Sequence, residues 1–144
     1  MASVRRLAPW AAALAVAAVG VQAAAAVTSP AAVVRAWSKA LNANDNARAA
    51  RLFAPGAHVL QSGYDVPLNS RALAVAFNAS LPCAGRIVSI RVRGNRATAT
   101  FVLGERPKHH CDGPGQKAAA VFTVRKGKIV RWEQVPVPQD QPTA

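Results

Sequence analysis

The fold is decided by residues 30–59, PAAVVRAWSKALNANDNARAARLFAPGAHV, which predict two short helices leading directly into a β-strand. Ser29 suits the N-cap of the first helix, and Pro30 suits its first position, where a missing amide hydrogen costs nothing. Apolar residues then recur at three- and four-residue spacing and predict one buried stripe: Val33, Val34, Trp37, Ala40 and Leu41.

A polar break follows the first helix. Asn44 or Asp45 can cap a second helix, whose apolar residues are Ala49, Leu52 and Phe53. Pro55-Gly56 predicts its end, and residues 57–60 predict the first strand. The apolar faces of both helices must therefore close over a sheet that the rest of the chain supplies.

The remaining sequence predicts one more helix and four more strands. The helix runs from Ser70, its cap, to Leu81, and the strands cover residues 87–92, 96–103, 118–125 and 128–135. Gly94-Asn95 and Lys126-Gly127 predict tight hairpin turns between successive strands.

This order of elements resembles the NTF2-like superfamily, which includes SnoaL-like polyketide cyclases, ketosteroid isomerases and limonene epoxide hydrolases. The matching segments are VVRAWSKALNAND, ARLFAPGAHV and the strand they lead into, and the resemblance covers residues 30–136. It implies an α+β, NTF2-like (cystatin-like) cone, with three helices packed on a curved, mostly antiparallel sheet. Because this superfamily hosts many unrelated activities, the fold alone assigns no function.

The first 26 residues are typical of a secretory signal peptide. Arg5 and Arg6 precede an apolar run over residues 7–26 that ends in four alanines. An uncleaved membrane anchor is the alternative, since twenty such residues could span a bilayer. We therefore expect a secreted or extracytoplasmic protein, either cleaved or anchored at its N-terminus, and a disordered tail over residues 137–144.

Export favours a disulfide between the only two cysteines, Cys83 and Cys111. In the chain-entropy model, closing this loop would stabilise the folded state by about 3 kcal/mol. A catalytic or metal-binding cysteine is the alternative, because His109 and His110 adjoin Cys111, but no second ligand pair has suitable spacing. We expect no metal and no cofactor.

The formal net charge of +12 favours acidic partners. Basic residues near the two hairpin turns could form a footprint for an anionic cell-envelope surface: Arg91, Arg93, Arg125, Lys126 and Lys128. Nucleic acid is not expected, because the sequence lacks a reading helix and basic residues interleaved with aromatic ones.

The resemblance also locates the positions where the family's enzymes carry their chemistry. Ketosteroid isomerase-like members place a tyrosine on the first helix, an aspartate base on the first strand and a second acid on a later strand. Those positions correspond to Trp37, Gln61 and Ala120 here, none of which can act as the base or the acid. We therefore predict no catalytic residue of the usual family type.

Two other titratable residues lie within strands. Glu133 alternates with Trp132 and Gln134, so it is expected on the outer face as a partner for a basic residue. His58 is expected to be exposed or hydrogen-bonded. A displaced base at either position remains the enzymatic alternative.

The residues left for a cavity are mainly aromatic, and they are as compatible with a plain core as with a binding site. If a cavity persists, it suits a small hydrophobic ligand. The predicted ligand-binding residues are Trp37, Gln61, Tyr64, Phe77, Phe122, Trp132 and Gln134.

The leading hypothesis is an exported, non-catalytic SnoaL-like domain that binds a small apolar ligand or a protein partner. One alternative is an isomerase, cyclase or hydrolase acting on a polyketide-, steroid- or terpene-like substrate with a non-standard base. Another is a homodimeric interaction module that uses the open face of its sheet.

Overall fold

A computed structural model of the chain describes residues 28–139, so the predicted leader and residues 140–144 of the predicted tail lie outside the described residues. The elements in chain order are α1 (Pro30–Asn42), α2 (Asn46–Ala50), β1 (Phe53–Gln61), β2 (Tyr64–Leu68), α3 (Arg71–Ser80), β3 (Ala84–Arg93), β4 (Arg96–Gly104), β5 (Lys117–Arg125) and β6 (Lys128–Val135). The predicted α+β class, with three helices on a mostly antiparallel sheet, is confirmed.

Each helix begins at the kind of cap that its sequence predicts. The side chains of Ser29, Asp45 and Ser70 accept hydrogen bonds from the backbone amides of Ala32, Arg48 and Leu73 respectively. These bonds satisfy amides that have no partner within the helix.

The six strands form one sheet in the order β2-β1-β6-β5-β4-β3. Every neighbouring pair is antiparallel except β1 and β6, which run parallel. The two predicted hairpin turns are present, since Arg93 pairs with Arg96 and Arg125 pairs with Lys128. Strand β6 therefore lies in the middle of the sheet, between β5 on one side and β1 on the other.

The boundary between α2 and β1 differs from the prediction. Phe53, assigned to the second helix, is the first residue of β1, and Pro55-Gly56 lies inside that strand. The amide of Ile129 donates to the Leu52 carbonyl, which draws this segment into the sheet beside β6. Pro55 and Gly56 fall where the β1–β6 register shifts, and such an irregularity accommodates a residue that has no amide hydrogen.

Strand β2 was not predicted. It pairs with β1 through a two-residue turn at Ser62-Gly63, where both residues have positive φ, at 53° and 82°. This geometry suits a hairpin turn whose twist matches that of the strands. The turn makes β2 one edge of the sheet.

The core lies between the helices and one face of the sheet. Its centre is Trp37 of α1, whose ring lies 6.2 Å from Phe101, 5.1 Å from Phe122 and 6.5 Å from Trp132, centroid to centroid. Two of these three contacts are edge-on arrangements, which aromatic pairs favour. Within residues 28–139, no helix has the length and apolar character needed to cross a bilayer.

Candidate functional site

A cavity of about 220 Å³ lies between α1, the C-terminal end of α3 and the helix-covered face of the sheet. Most of its wall is aromatic, aliphatic or glycine. The lining residues are Trp37, Ser38, Leu41, Gln61, Leu81, Pro82, Cys83, Gly85, Phe101, Leu103, Ala118, Ala119, Ala120, Trp132 and Gln134.

Four predicted ligand-binding residues come together in this wall: Trp37, Gln61, Trp132 and Gln134. Their role in binding stays a prediction. The position that the resemblance aligns with the family's second acid, Ala120, also lines the cavity. Among residues 28–139, no acid and no histidine contributes to this wall.

The indole of Trp37 offers the cavity its ring but not its N–H. Trp37 Nε1 donates to Asn78 Oδ1 at 2.8 Å, and Asn78 Nδ2 donates to the Ala74 carbonyl at 2.7 Å. Both Trp37 and Asn78 are buried, so this bond fixes the ring where no water competes. Trp132 differs, because its Nε1 is buried without a hydrogen-bond partner among the described residues.

Gly85, at the start of β3, holds α1 against the sheet beside the cavity. Its carbonyl accepts from Ser38 Oγ at 3.1 Å and from Asn42 Nδ2 at 2.9 Å, and its amide donates to Asn42 Oδ1 at 2.9 Å. A Cβ at this position would come to 3.0 Å from Phe101 Cδ1. Only glycine therefore fits at position 85 without moving Phe101.

The rim is held by the loop between β4 and β5, residues 105–116. The predicted disulfide is confirmed: Cys111 of this loop is bonded to Cys83, which lines the cavity. His109 Nε2 lies 3.1 Å from Asn44 Oδ1 in the turn before α2. The loop is thereby fastened both to the segment after α3 and to the segment after α1.

Arg106 provides the third attachment of this loop, and it is 2% exposed. Its Nη1 donates to the carbonyls of Asn78 at 2.8 Å and Leu81 at 2.5 Å, and its Nη2 donates to Asn46 Oδ1. Carbonyls at a helix C-terminus carry partial negative charge, so the guanidinium caps α3. Burial lowers the pKa of Arg106 from its ordinary value, because desolvation penalises the charged form.

The other three predicted ligand-binding residues lie outside the cavity wall. Phe122 is completely buried between Trp37 and Trp132. Phe77 and Tyr64 line a separate groove of about 500 Å³ between β2 and α3, and Tyr64 is 74% exposed. Tyr64 was predicted as a polar group inside the cavity, but the unpredicted β2 carries it to the sheet edge. Gln61 lines both the groove and the cavity.

The two alternative bases lie away from the cavity. His58 Nδ1 is 2.7 Å from Asp65 Oδ1, with both side chains about half exposed. Glu133 pairs with Arg131 at 3.4 Å, as expected for an outer-face residue. The register places His58 beside Arg131, so both pairs lie on the open face of the sheet.

The histidines next to Cys111 do not form a cluster with metal ligands. His110 lies 4.0 Å from Asp112, and both are largely exposed. No group of three or more potential ligands occurs within residues 28–139.

Sequence reasoning missed Asn78 and Arg106, which position the cavity wall. Asn78 carried one signal, since it lies four residues after Ala74 on the buried side of α3. Arg106 carried none, because a basic residue beside a proline in a Gly/Pro-rich loop is typical of a solvated segment.

Comparison with known proteins gives one family and a set of structural relatives. A family model described as a SnoaL-like domain matches residues 34–132. A comparison with curated proteins finds no match.

Three solved structures illustrate the likeness. A candidate polyketide cyclase from Sinorhizobium meliloti is 23% identical, with a TM-score of 0.58 over 72% of this chain and 93% of its own. A candidate ketosteroid isomerase from Kribbella flavida is 18% identical, with a TM-score of 0.58 over 80% and 83%. An uncharacterized cystatin-fold protein from Novosphingobium aromaticivorans is 15% identical, with a TM-score of 0.61 over 76% and 99%. At these identities the likeness confirms the predicted fold.

Proposed function

Because this chain belongs to the SnoaL-like domain family, we propose that it is a non-catalytic member that binds a small apolar ligand in the cavity between Trp37 and Trp132. The observation that carries the proposal is a wall of aromatic and aliphatic groups in which no acid or histidine of the described residues takes part. Isomerase and cyclase chemistry needs a base at contact distance from the carbon acid. A wall of this kind supports binding without proton transfer.

The size and polarity of the cavity define the class of ligand. An apolar cavity of about 150 Å³ can hold benzene, so one of about 220 Å³ suits a ligand of one to two rings. The side-chain amides of Gln61 and Gln134 can each donate and accept a hydrogen bond. The ligand should therefore be a compact aromatic or alicyclic molecule with a single polar group.

We also propose that the protein works outside the reducing cytoplasm. The support is the N-terminal sequence together with the Cys83–Cys111 bridge, since such bonds persist in oxidising compartments. N-terminal sequencing and thiol titration of the protein from its native host test this. A mature chain that retains Arg5 and Arg6, found in the cytoplasm with two free thiols, would refute it.

A homodimer formed through the open face of the sheet stays a prediction. The side chains on that face give it little support. Thr98, Thr123 and the Arg131–Glu133 pair lie on this face, and register and alternation place them opposite the core. A broad apolar patch marks a typical association surface, whereas charged and polar residues interrupt the apolar Leu60, Val102 and Val121 on this face.

The ligand proposal is tested by filling the cavity. Ala118 is half-buried in the wall, so Ala118→Leu would place three more carbons where the ligand lies. We expect the affinity for 1-naphthol, measured by isothermal titration calorimetry, to fall roughly tenfold or more, equivalent to about 1.4 kcal/mol. Ala72→Leu makes the same change on the exposed side of α3 and should leave the affinity unaltered.

Two results would overturn the proposal. If naphthol bound equally to both variants, the cavity would not be the binding site. If the unaltered protein isomerised a β,γ-unsaturated ketone and Ala118→Leu abolished that turnover, the cavity would be catalytic.

A further inference from the structure

One end of the sheet gathers basic side chains from three separate parts of the chain. We call this surface the basic corner; its six residues are all exposed. They are Arg51, Arg93, Arg96, Arg125, Lys126 and Lys128.

Backbone contacts bring these three parts together. The amide of Val124 donates to the Asn95 carbonyl at 2.8 Å, so the β3–β4 turn lies against the end of β5. Lys128 Nζ donates to the Arg51 carbonyl at 2.5 Å, which joins the β5–β6 turn to the segment between α2 and β1. The sequence predicts a basic footprint near the two hairpin turns, and the topology adds Arg51 and Arg96 to it.

The basic corner includes two pairs of like charges that face each other directly. Arg93 is the cross-strand partner of Arg96, and Arg125 is the partner of Lys128. Like charges placed opposite one another destabilise a sheet. The fold therefore keeps these pairs at the expense of its own stability, which favours a role in binding over a structural one.

No acid among residues 28–139 neutralises this surface. None of its six members takes part in an ion pair within that range. Glu133 lies on β6 but five positions beyond Lys128, and it pairs with Arg131. The other described acids are the α2 cap Asp45, the partner of His58 and two residues of the 105–116 loop.

From this arrangement we propose that the basic corner docks the domain on a bilayer rich in anionic phospholipids. This interaction goes beyond ligand binding in the cavity and does not depend on it. Each basic residue beside an anionic membrane gains Coulomb attraction, and several together make the contact stable.

The form of the surface favours a bilayer over a compact anion or a bound polymer. None of the six residues lines the cavity or the groove described above, and all six side chains are exposed. Lipid head groups diffuse laterally and can gather beneath long, flexible cationic side chains.

The test compares two triple variants of the full chain by co-sedimentation with vesicles. Arg93→Gln/Arg96→Gln/Arg125→Gln removes three charges from the basic corner. Lys39→Gln/Arg86→Gln/Lys117→Gln removes the same charge elsewhere. Arg86 lies near the start of β3 and Lys117 begins β5, whereas Arg93 and Arg125 end these strands, roughly 25 Å away at the usual rise per residue. Both variants keep the N-terminal apolar run, so its contribution cancels.

With phosphatidylcholine vesicles containing phosphatidylglycerol, we expect the corner variant to lose roughly a hundredfold in affinity. This estimate takes about fivefold for each basic residue. The control variant should lose far less, and high salt should weaken binding of the unaltered protein. Thermal unfolding of the corner variant should be unimpaired, because its substitutions relieve like-charge pairs, and this separates lost binding from misfolding.

Three outcomes would overturn the proposal. Equal losses of vesicle affinity in both variants would mean that binding depends on net charge and not on the basic corner. Equal binding to vesicles with and without phosphatidylglycerol would assign it to the apolar run. Binding to soluble polyphosphate without binding to vesicles would make the partner a polymer.

Discussion

Arg106 is the residue whose loss should cost the fold most. Its guanidinium satisfies two carbonyls at the end of α3 and the Asn46 side chain, all at a largely buried site. Arg106→Met keeps much of the volume but leaves those acceptors without donors. We expect the free energy of unfolding to fall by about 3 kcal/mol, measured by urea denaturation with the disulfide intact.

The matched control for this prediction is Arg86→Met, at an exposed position of β3. It should change stability by less than about 0.5 kcal/mol, as is usual at the surface. Arg106→Lys should fall between the two, because an ammonium group cannot present the same planar set of donors. Equal stability of both methionine variants would refute the capping role.

At this scale the sequence predicts residues whose role follows from their own chemistry. Cys83 and Cys111 were paired because only two cysteines exist and the N-terminus indicates export. Asn78 and Arg106 could not be assigned, because their partners lie 41 and 28 residues away respectively. Long-range polar pairs of this kind leave no periodic signal in the sequence.

Among the elements, the sequence predicts the caps and turns that depend on neighbouring residues. It fails where pairing with a distant strand decides whether a segment is helix or strand. The caps at Ser29 and Ser70 and the turns of both predicted hairpins are confirmed. Phe53 has helical spacing, yet it joins β1 because β6 supplies a partner strand. Strand β2 escaped prediction because Asp65 and Pro67 are poor strand formers that only an edge tolerates.

The packing of Phe101 of β4 against β3 depends on the missing side chain of Gly85. Gly85→Ala would place a methyl group 3.0 Å from Phe101, in a wall of the cavity. We expect about 1–3 kcal/mol of destabilisation, as is typical of overpacking, together with weaker binding of 1-naphthol. Thermal unfolding and calorimetric titration measure the two effects.

Gly104→Ala is the matched control, since a Cβ there meets no atom within 4 Å. It should leave both the melting temperature and the naphthol affinity nearly unchanged. If Gly85→Ala behaved like this control, the close packing of Phe101 on Gly85 would not constrain the cavity.

For the molecule as a whole, the excess of positive charge should make stability depend on salt. The formal net charge is +12, and the six cations of the basic corner have no acidic partner among the described residues. Screening weakens such repulsion. We therefore expect the melting temperature to rise as sodium chloride increases, measured by scanning fluorimetry.

The same measurement identifies where the repulsion originates. The Arg93, Arg96 and Arg125 triple variant should lose much of the salt response, whereas the Lys39, Arg86 and Lys117 triple should retain more of it. A melting temperature that falls with salt would mean that attractive ion pairs dominate.

The central position of β6 also determines when this domain can fold. β1 lies between β2 and β6, so the first hairpin has no sheet to join until the last strand is available. A chain emerging from its N-terminus should remain open until residues up to Val135 are free, since contacts this distant in sequence form late. The export proposed above would require an unfolded polypeptide in a translocation channel, and this topology delays completion of the fold until β6 has been released.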